Sequence, residues 1–226
     1  MPGFGLTSVP PVAPVTPPRF FIMTQIINAI ELGDPIPSII HPSGDYPNML
    51  ILGGGRCVWE DYFAAREIMP TSYVMGVNDI AGQFKIEKMH HAVSLHGRVL
   101  PAIRGLRLEK GCCETICTHS DYPGAGITFV WKMQNSGGTS GLFALKIALA
   151  LGCKKIILCG IPMDGSGHYF DPPDVRKNFA EVFGSVSNFA PWRDVAKSQI
   201  AVDRVRSMSG KTASLFKEPT KDWVES

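Results

Sequence analysis

Short polar residues and glycines that follow apolar runs are the positions in this chain best suited to handle an anionic ligand. Five such endings occur: Gly53-Gly54-Gly55 after residues 48–52, Asn78-Asp79 after 72–77, His96-Gly97 after 90–95, the turn Asn135-Ser136-Gly137-Gly138-Thr139-Ser140-Gly141, and Gly160 to Asp164 after 155–159. Glycine has no Cβ, so main-chain amides can come close to a phosphate without collision. A helix that starts at such a turn adds unpaired N–H groups and a partial positive charge. Gly54, Gly55, Ser136, Thr139, Ser140 and Gly160 are therefore candidate phosphate contacts, and Thr139 and Ser140 serve equally as helix caps. Asn78 and His96 are candidates for a base and ribose, with capping of the next helix as the competing role of Asn78. The loop Gly160-Ile161-Pro162-Met163-Asp164-Gly165-Ser166-Gly167-His168-Tyr169-Phe170-Asp171 supplies Asp164 and His168 as candidate catalytic groups for proton transfer and Tyr169 as a substrate contact. An Asx turn at Asp164 accounts for the same loop without chemistry.

The commoner phosphate signatures are missing. Residues 53–55 lack the GxGxxG spacing, and no Lys follows the 135–141 turn where a Walker loop needs one. Asp79, Asp164 and Asp171 could hold magnesium for pyrophosphoryl transfer, a thinner alternative. The cysteines at 57, 112, 113, 117, 153 and 159 contain no CxxC pair and read as reduced thiols, with Cys153 and Cys159 flanking a buried strand. No metal ligand set is assigned.

These endings need strands and helices to position them. Continuous apolar runs at 48–52, 72–77, 90–95, 127–131 and 155–159 predict strands covered on both faces. Helices are expected over 58–68, ended by Pro70, near 80–84, over 142–151, ended by Gly152, and in parts of 173–187 and 192–206. Residues 98–121 are the least legible, with a strand expected around 113–118. Strand, helix and strand within 127–159 make a βαβ unit, and several in series predict an α/β fold, a Rossmann-like doubly wound, mostly parallel sheet with helices on both faces.

The 226 residues suffice for one sizeable domain with appendages. Residues 1–19, rich in proline, predict a flexible arm that is a candidate attachment for a protein partner. Apolar residues at helical spacing over 20–32 predict a helix, and 20–45 form helix and linker; the nucleotide-site domain spans 46–215 and a tail 216–226, polar and laid over the surface from Lys211 onward. With 22 basic and 20 acidic residues spread along the chain, no net field favours nucleic acid or membrane. Arg98, Arg104, Arg107 and Lys110 read as a solvated face rather than a nucleic-acid patch. No apolar stretch is long enough to cross a bilayer and no secretory leader is visible, so a cytoplasmic location is expected.

The run Ile51-Leu52-Gly53-Gly54-Gly55, then Gly76-Val77-Asn78, Ala92-Val93-Ser94-Leu95-His96, and above all Thr139-Ser140-Gly141 with residues 148–161, resembles the bacterial lipooligosaccharide sialyltransferases and related uncharacterised proteins grouped with archaeal pterin pyrophosphokinases. Residues 139–161 are the specific part, and the order of motifs covers about two-thirds of the chain. The resemblance implies a cytidine nucleotide sugar as substrate, nucleotide contacts at Gly54, Asn78, His96, Thr139, Ser140 and Gly160, a phosphate-facing Tyr169, and no required cofactor. The family carries asparagine at the positions of Gly54 and His96. Its catalytic histidine has no counterpart in Phe189-Ala190-Pro191-Trp192-Arg193, where Arg193 is a candidate for steadying the departing phosphate. The run from Gly160 to Tyr169, with residues 204–210 and 219–223, is also similar to phage and prophage proteins of unknown function. A nucleotide-sugar-dependent glycosyltransferase is thus the leading expectation, and a non-catalytic phage or virion-associated binding protein on the same fold the alternative.

Overall fold

A strand apolar at every position must be covered on both faces, because alternate side chains point to opposite sides. A computed structural model of the protein describes residues 25–27, 48–112, 116–133, 139–174 and 189–226. Its strands are β1 (Gln25–Ile27), β2 (Met49–Leu52), β3 (Tyr73–Val77), β4 (His91–Val93), β5 (Cys117–Ser120), β6 (Phe129–Trp131), β7 (Ile156–Cys159) and β8 (Val205–Ser207). The helices among the described residues are α1 (Val58–Ile68), α2 (Leu100–Glu109), α3 (Ser140–Ala150), α4 (Ala190–Lys197), α5 (Gln199–Arg204), α6 (Gly210–Phe216) and α7 (Lys221–Glu225). One eight-stranded sheet results, ordered β1-β6-β5-β4-β3-β2-β7-β8. Every neighbouring pair is parallel. The α/β, Rossmann-like architecture expected from the strand-helix pattern is the one observed.

Side-chain alternation divides the core in two. Met49 and Ile51 of β2, Ile156 and Leu158 of β7, and Met75 and Val77 of β3 face α3, α4 and α6. Leu50 and Leu52, Ile157 and Cys159 face α1 and α2 on the opposite side. Each such side chain taken fully out of water contributes roughly 1.5–3 kcal/mol, so the central strands are the anchor from which the loops project. Helix α1 buries Val58, Tyr62 and Ala65 at helical spacing, and α3 is buried almost all round, as its apolar sequence demands.

Four expectations are corrected. Gln25–Ile27 is a strand rather than part of a helix: β1 pairs with β6, Ile27 opposite Trp131, and β-branched isoleucines suit a strand as well as their spacing suited a helix. The region 98–121 holds α2, which escaped notice because its apolar stripe, Leu100 and Ile103, is completed by an arginine. Arg107 is buried, not solvated, and donates to the carbonyls of Gln83 at 2.7 Å and Ile86 at 3.1 Å. Residues 78–82 form a 3₁₀ turn where a short helix was expected over 80–84. Finally, the stretch after Lys211 is not merely surface: α6 buries Thr212 and Phe216, and Trp223 of α7 lies under Lys155 and Arg206. Residues 1–19 and most of 20–45 lie outside the described residues. No helix among the described residues is long and apolar enough to cross a membrane.

Candidate functional site

Adjacent parallel strands whose connections leave toward opposite faces open a crevice at their carboxyl ends. Here the strands are β2, which leads through α1 on one face to β3, and β7, which leads to β8 by way of α4 and α5 on the other. A cavity of about 150 Å³ lies there, bounded by the ends of β2, β3 and β7, the first turn of α3, the loop 160–168 and Trp192. Four of the five predicted endings reach it: Gly53 to Gly55, Asn78, Thr139 to Gly141, and Gly160 to Asp164. Ser136 lies outside the described residues.

The glycines bring two loops together more than they hold out free amides. A Cβ on Gly53 would stand 2.5 Å from Ile161 Cγ1, and one on Gly55 2.6 Å from the Gly160 carbonyl oxygen. Their N–H groups already donate to Cys159 O at 2.8 Å and Gly160 O at 2.7 Å. A Cβ on Gly54 would instead meet a side chain, His168 Nδ1, at 3.3 Å. Gly160 takes a left-handed φ of +64°, which glycine tolerates without strain.

A polar chain joins the ends of β3 and β4 to α3. The His96 amide donates to Ser94 Oγ at 2.9 Å, Ser94 Oγ donates to Asn78 Oδ1 at 2.8 Å, and the Leu95 amide donates to Ser140 Oγ at 3.2 Å. Asn78 is fixed by this chain in left-handed backbone with φ 54°. Its Oδ1 is engaged, so its NH₂ is the end able to meet a ligand. The His96 side chain is exposed and is not part of the cavity wall. Thr139 caps α3, its Oγ1 accepting from the Leu142 amide at 3.2 Å.

The loop after β7 is tied back onto the β2–α1 turn. Arg56 N donates to Gly167 O, Arg56 Nε to Ser166 O, and Tyr169 N to Gly54 O. His168 Nδ1 lies 3.2 Å from Gly54 O. A carbonyl oxygen only accepts, so this contact sets the imidazole proton on Nδ1 and leaves the Nε2 lone pair to take a proton. Asp171 accepts from the His168 amide at 2.7 Å, and Phe170 stacks on the ring at 5.1 Å. Asp164 is exposed and forms the Asx turn, accepting from Ser166 N at 2.9 Å. Tyr169 is turned away from the cavity: its hydroxyl accepts from Gln83 Nε2 at 2.8 Å, its ring meets Trp59 edge-on, and burial followed by the nearby Asp79 raises its pKa. Asp164 and Asp171 are thus occupied in separate turns, and no group of three or more metal-binding side chains exists among the described residues. Arg193 is exposed and outside the wall.

Beneath the cavity sits a support that the sequence reading missed. Asp61, buried on α1, accepts from the Gly160 amide at 2.8 Å and from Ser209 Oγ at 2.7 Å. Thr212 Oγ1 donates to Ile161 O at 2.6 Å, and Lys211 N to Pro162 O at 2.7 Å. Gly210-Lys211-Thr212 spells the end of a Walker loop, yet here the threonine hydroxyl is committed to the cavity floor. Cys57, beside Ser209 at 3.1 Å, has its pKa pushed up to about 12, chiefly by burial, which favours the protonated thiol. An aspartate on an otherwise apolar helix face was the one available signal for Asp61. Trp192 also lines the cavity, in a segment whose sequence reading singled out Arg193 instead. No protein-family model, curated protein or solved structure matches the chain.

Proposed function

We propose that the cleft between β2 and β7 binds a phosphorylated, nucleotide-containing small molecule, with a nucleotide sugar used as donor in glycosyl transfer. The observation that carries this reading is that one cavity at the switch point gathers Asn78, the first turn of α3 and His168. The phosphate rests at the start of α3, where amide donors and the helix dipole favour negative charge. The NH₂ of Asn78 serves the base or ribose. His168 is better suited to proton transfer than Asp164, since its Nδ1 contact with Gly54 O orients the ring and leaves Nε2 as the base. In the transfer, an acceptor hydroxyl oxygen bonds to the anomeric carbon and gives its proton to His168 Nε2. The bond from that carbon to the phosphate oxygen breaks, and its electron pair leaves with the phosphate, steadied by the amides.

A thermal-shift screen of nucleotides and nucleotide sugars, with and without magnesium, tests the reading. A true ligand at a hundred times its Kd should raise Tm by about 5–10 °C. His168→Gln should retain that shift and lower turnover by about 10²–10⁴-fold. If no nucleotide or nucleotide sugar moves the melting temperature, the reading fails.

A further inference from the structure

An indole N–H donates a hydrogen bond and accepts none, so once buried it must find an acceptor or lose its hydration without return. Trp192 is fully buried, and its Nε1 is the buried side-chain nitrogen among the described residues that has no hydrogen-bond partner. The ring forms part of the cavity wall. Its Cζ2, on the nitrogen-bearing edge, lies 3.6 Å from where a Cβ on Gly141 would stand. That edge therefore faces the first turn of α3, an 11-residue helix whose Ser140 and Gly141 amides precede any intrahelical acceptor. Trp192 and the start of α3 thus border the same end of the cavity.

We infer that Trp192 Nε1 and the first amides of α3 together seat a single phosphoryl group, as carried by a nucleoside monophosphate. The assignment rests on the nucleotide reading of the cleft and narrows it. Neither Lys nor Arg occurs in the described wall, where Asp164 and His168 are the titratable groups. Neutral donors and a helix end worth about half an elementary charge match one phosphate. A triphosphate would press several negative charges toward the Asp164 carboxylate. The room agrees: about 150 Å³ accommodates one benzene-sized group, and the remainder of a ligand extends along the rim.

The experiment titrates the full chain, wild type and Trp192→Phe, with inorganic phosphate, the nucleoside monophosphates and the matching triphosphates. Phenylalanine removes the N–H and retains an aromatic ring beside Phe216. Monophosphates should bind the variant at least about tenfold more weakly, and triphosphates should bind wild type no more tightly than monophosphates. Should the variant fail to fold, the wild-type indole ¹⁵N–¹H signals decide, since the Trp192 signal, identified by replacing the other three tryptophans in turn, must shift when phosphate is added. Equal monophosphate affinity in the two proteins, or an unmoved Trp192 signal, overturns the seat while the nucleotide reading stands. Tighter triphosphate binding overturns the restriction to one phosphoryl group. Trp192-dependent binding of inorganic phosphate without any nucleotide upholds the seat and removes the nucleotide reading, and binding of nothing removes both.

Discussion

Trp131 and Trp192 are both completely buried, and they differ in what their indole nitrogens meet. Trp131, in β6, donates to His119 Nδ1 at 2.9 Å. His119 Nδ1 must then be bare, so the proton of His119 is on Nε2, which donates to His91 Nδ1 at 3.0 Å. The whole chain runs in one direction, and each contact has a donor and an acceptor. Trp192, at the carboxyl edge of the sheet, donates to nothing among the described residues. Beside it, Asn78 and Met163 are held in left-handed backbone at φ 54° and 53°, a conformation few non-glycine residues adopt unless surroundings impose it. Polar groups inside the sheet complete one another, whereas at the cleft the fold leaves a donor and some backbone strain in place. An unsatisfied buried group is uncommon enough in folded proteins to call for a partner from outside.

The contrast breaks most severely at Asp61, where the cleft stands on a satisfied group. Asp61→Ala removes two hydrogen bonds to a carboxylate and leaves the Gly160 amide buried without an acceptor. Urea unfolding should show a loss of about 3–5 kcal/mol, and ligand-induced stabilisation should shrink with it because Gly160 and Ile161 line the cavity. A loss below about 1 kcal/mol would mean that the cleft is not built on this carboxylate. A smaller effect comes from the tryptophans themselves. Trp131→Phe and Trp192→Phe delete the same atoms, but only the first strands an acceptor, His119 Nδ1. Trp131→Phe should therefore be the less stable of the two by about 1–3 kcal/mol, and equal stabilities would erase the distinction between the two sites.

The two regions were also unequally legible from sequence. Strands β2, β3 and β7 announced themselves through unbroken apolar runs, because burial on both faces leaves little freedom of composition, and helices α1 and α3 through their stops at Pro70 and Gly152. Helix α2 did not, since Arg107 fills a core position that a hydrophobicity pattern scores as surface. Strand β1 was hidden by isoleucines whose spacing fits either period. At the cleft, the glycines and Asn78 could be read from their position after strands. The commitments of Tyr169 to Gln83, of Thr212 to Ile161 O and of Asp61 to Gly160 could not, because each joins residues at least 51 positions apart. The vacancy at Trp192 Nε1 is likewise a property of neighbours that come from elsewhere in the chain.

The smallest effect is a pH dependence, and it sharpens the comparison most directly. Burial, and then the adjacent His91, hold the His119 pKa well below its ordinary 6.5. In the folded protein this imidazole refuses a proton that the unfolded chain accepts. Its contribution to stability is therefore intact above about pH 6.5 and is lost as the pH falls from there toward the depressed folded-state value, with a slope of at most about 1.4 kcal/mol per pH unit. Protonated His119 would carry hydrogen on both nitrogens and turn its Nδ1–H against the Trp131 N–H. With phenylalanine at 131 that conflict disappears, so the stability of Trp131→Phe should decline less steeply between pH 6.5 and 5 than that of wild type. Trp192→Phe should follow the wild-type slope, because the orphaned indole is not part of the histidine chain. Urea titrations of the three proteins across that interval measure the slopes. Parallel lines for Trp131→Phe and wild type would mean that burial and His91 alone keep His119 neutral across that interval, with no part for the Trp131 N–H.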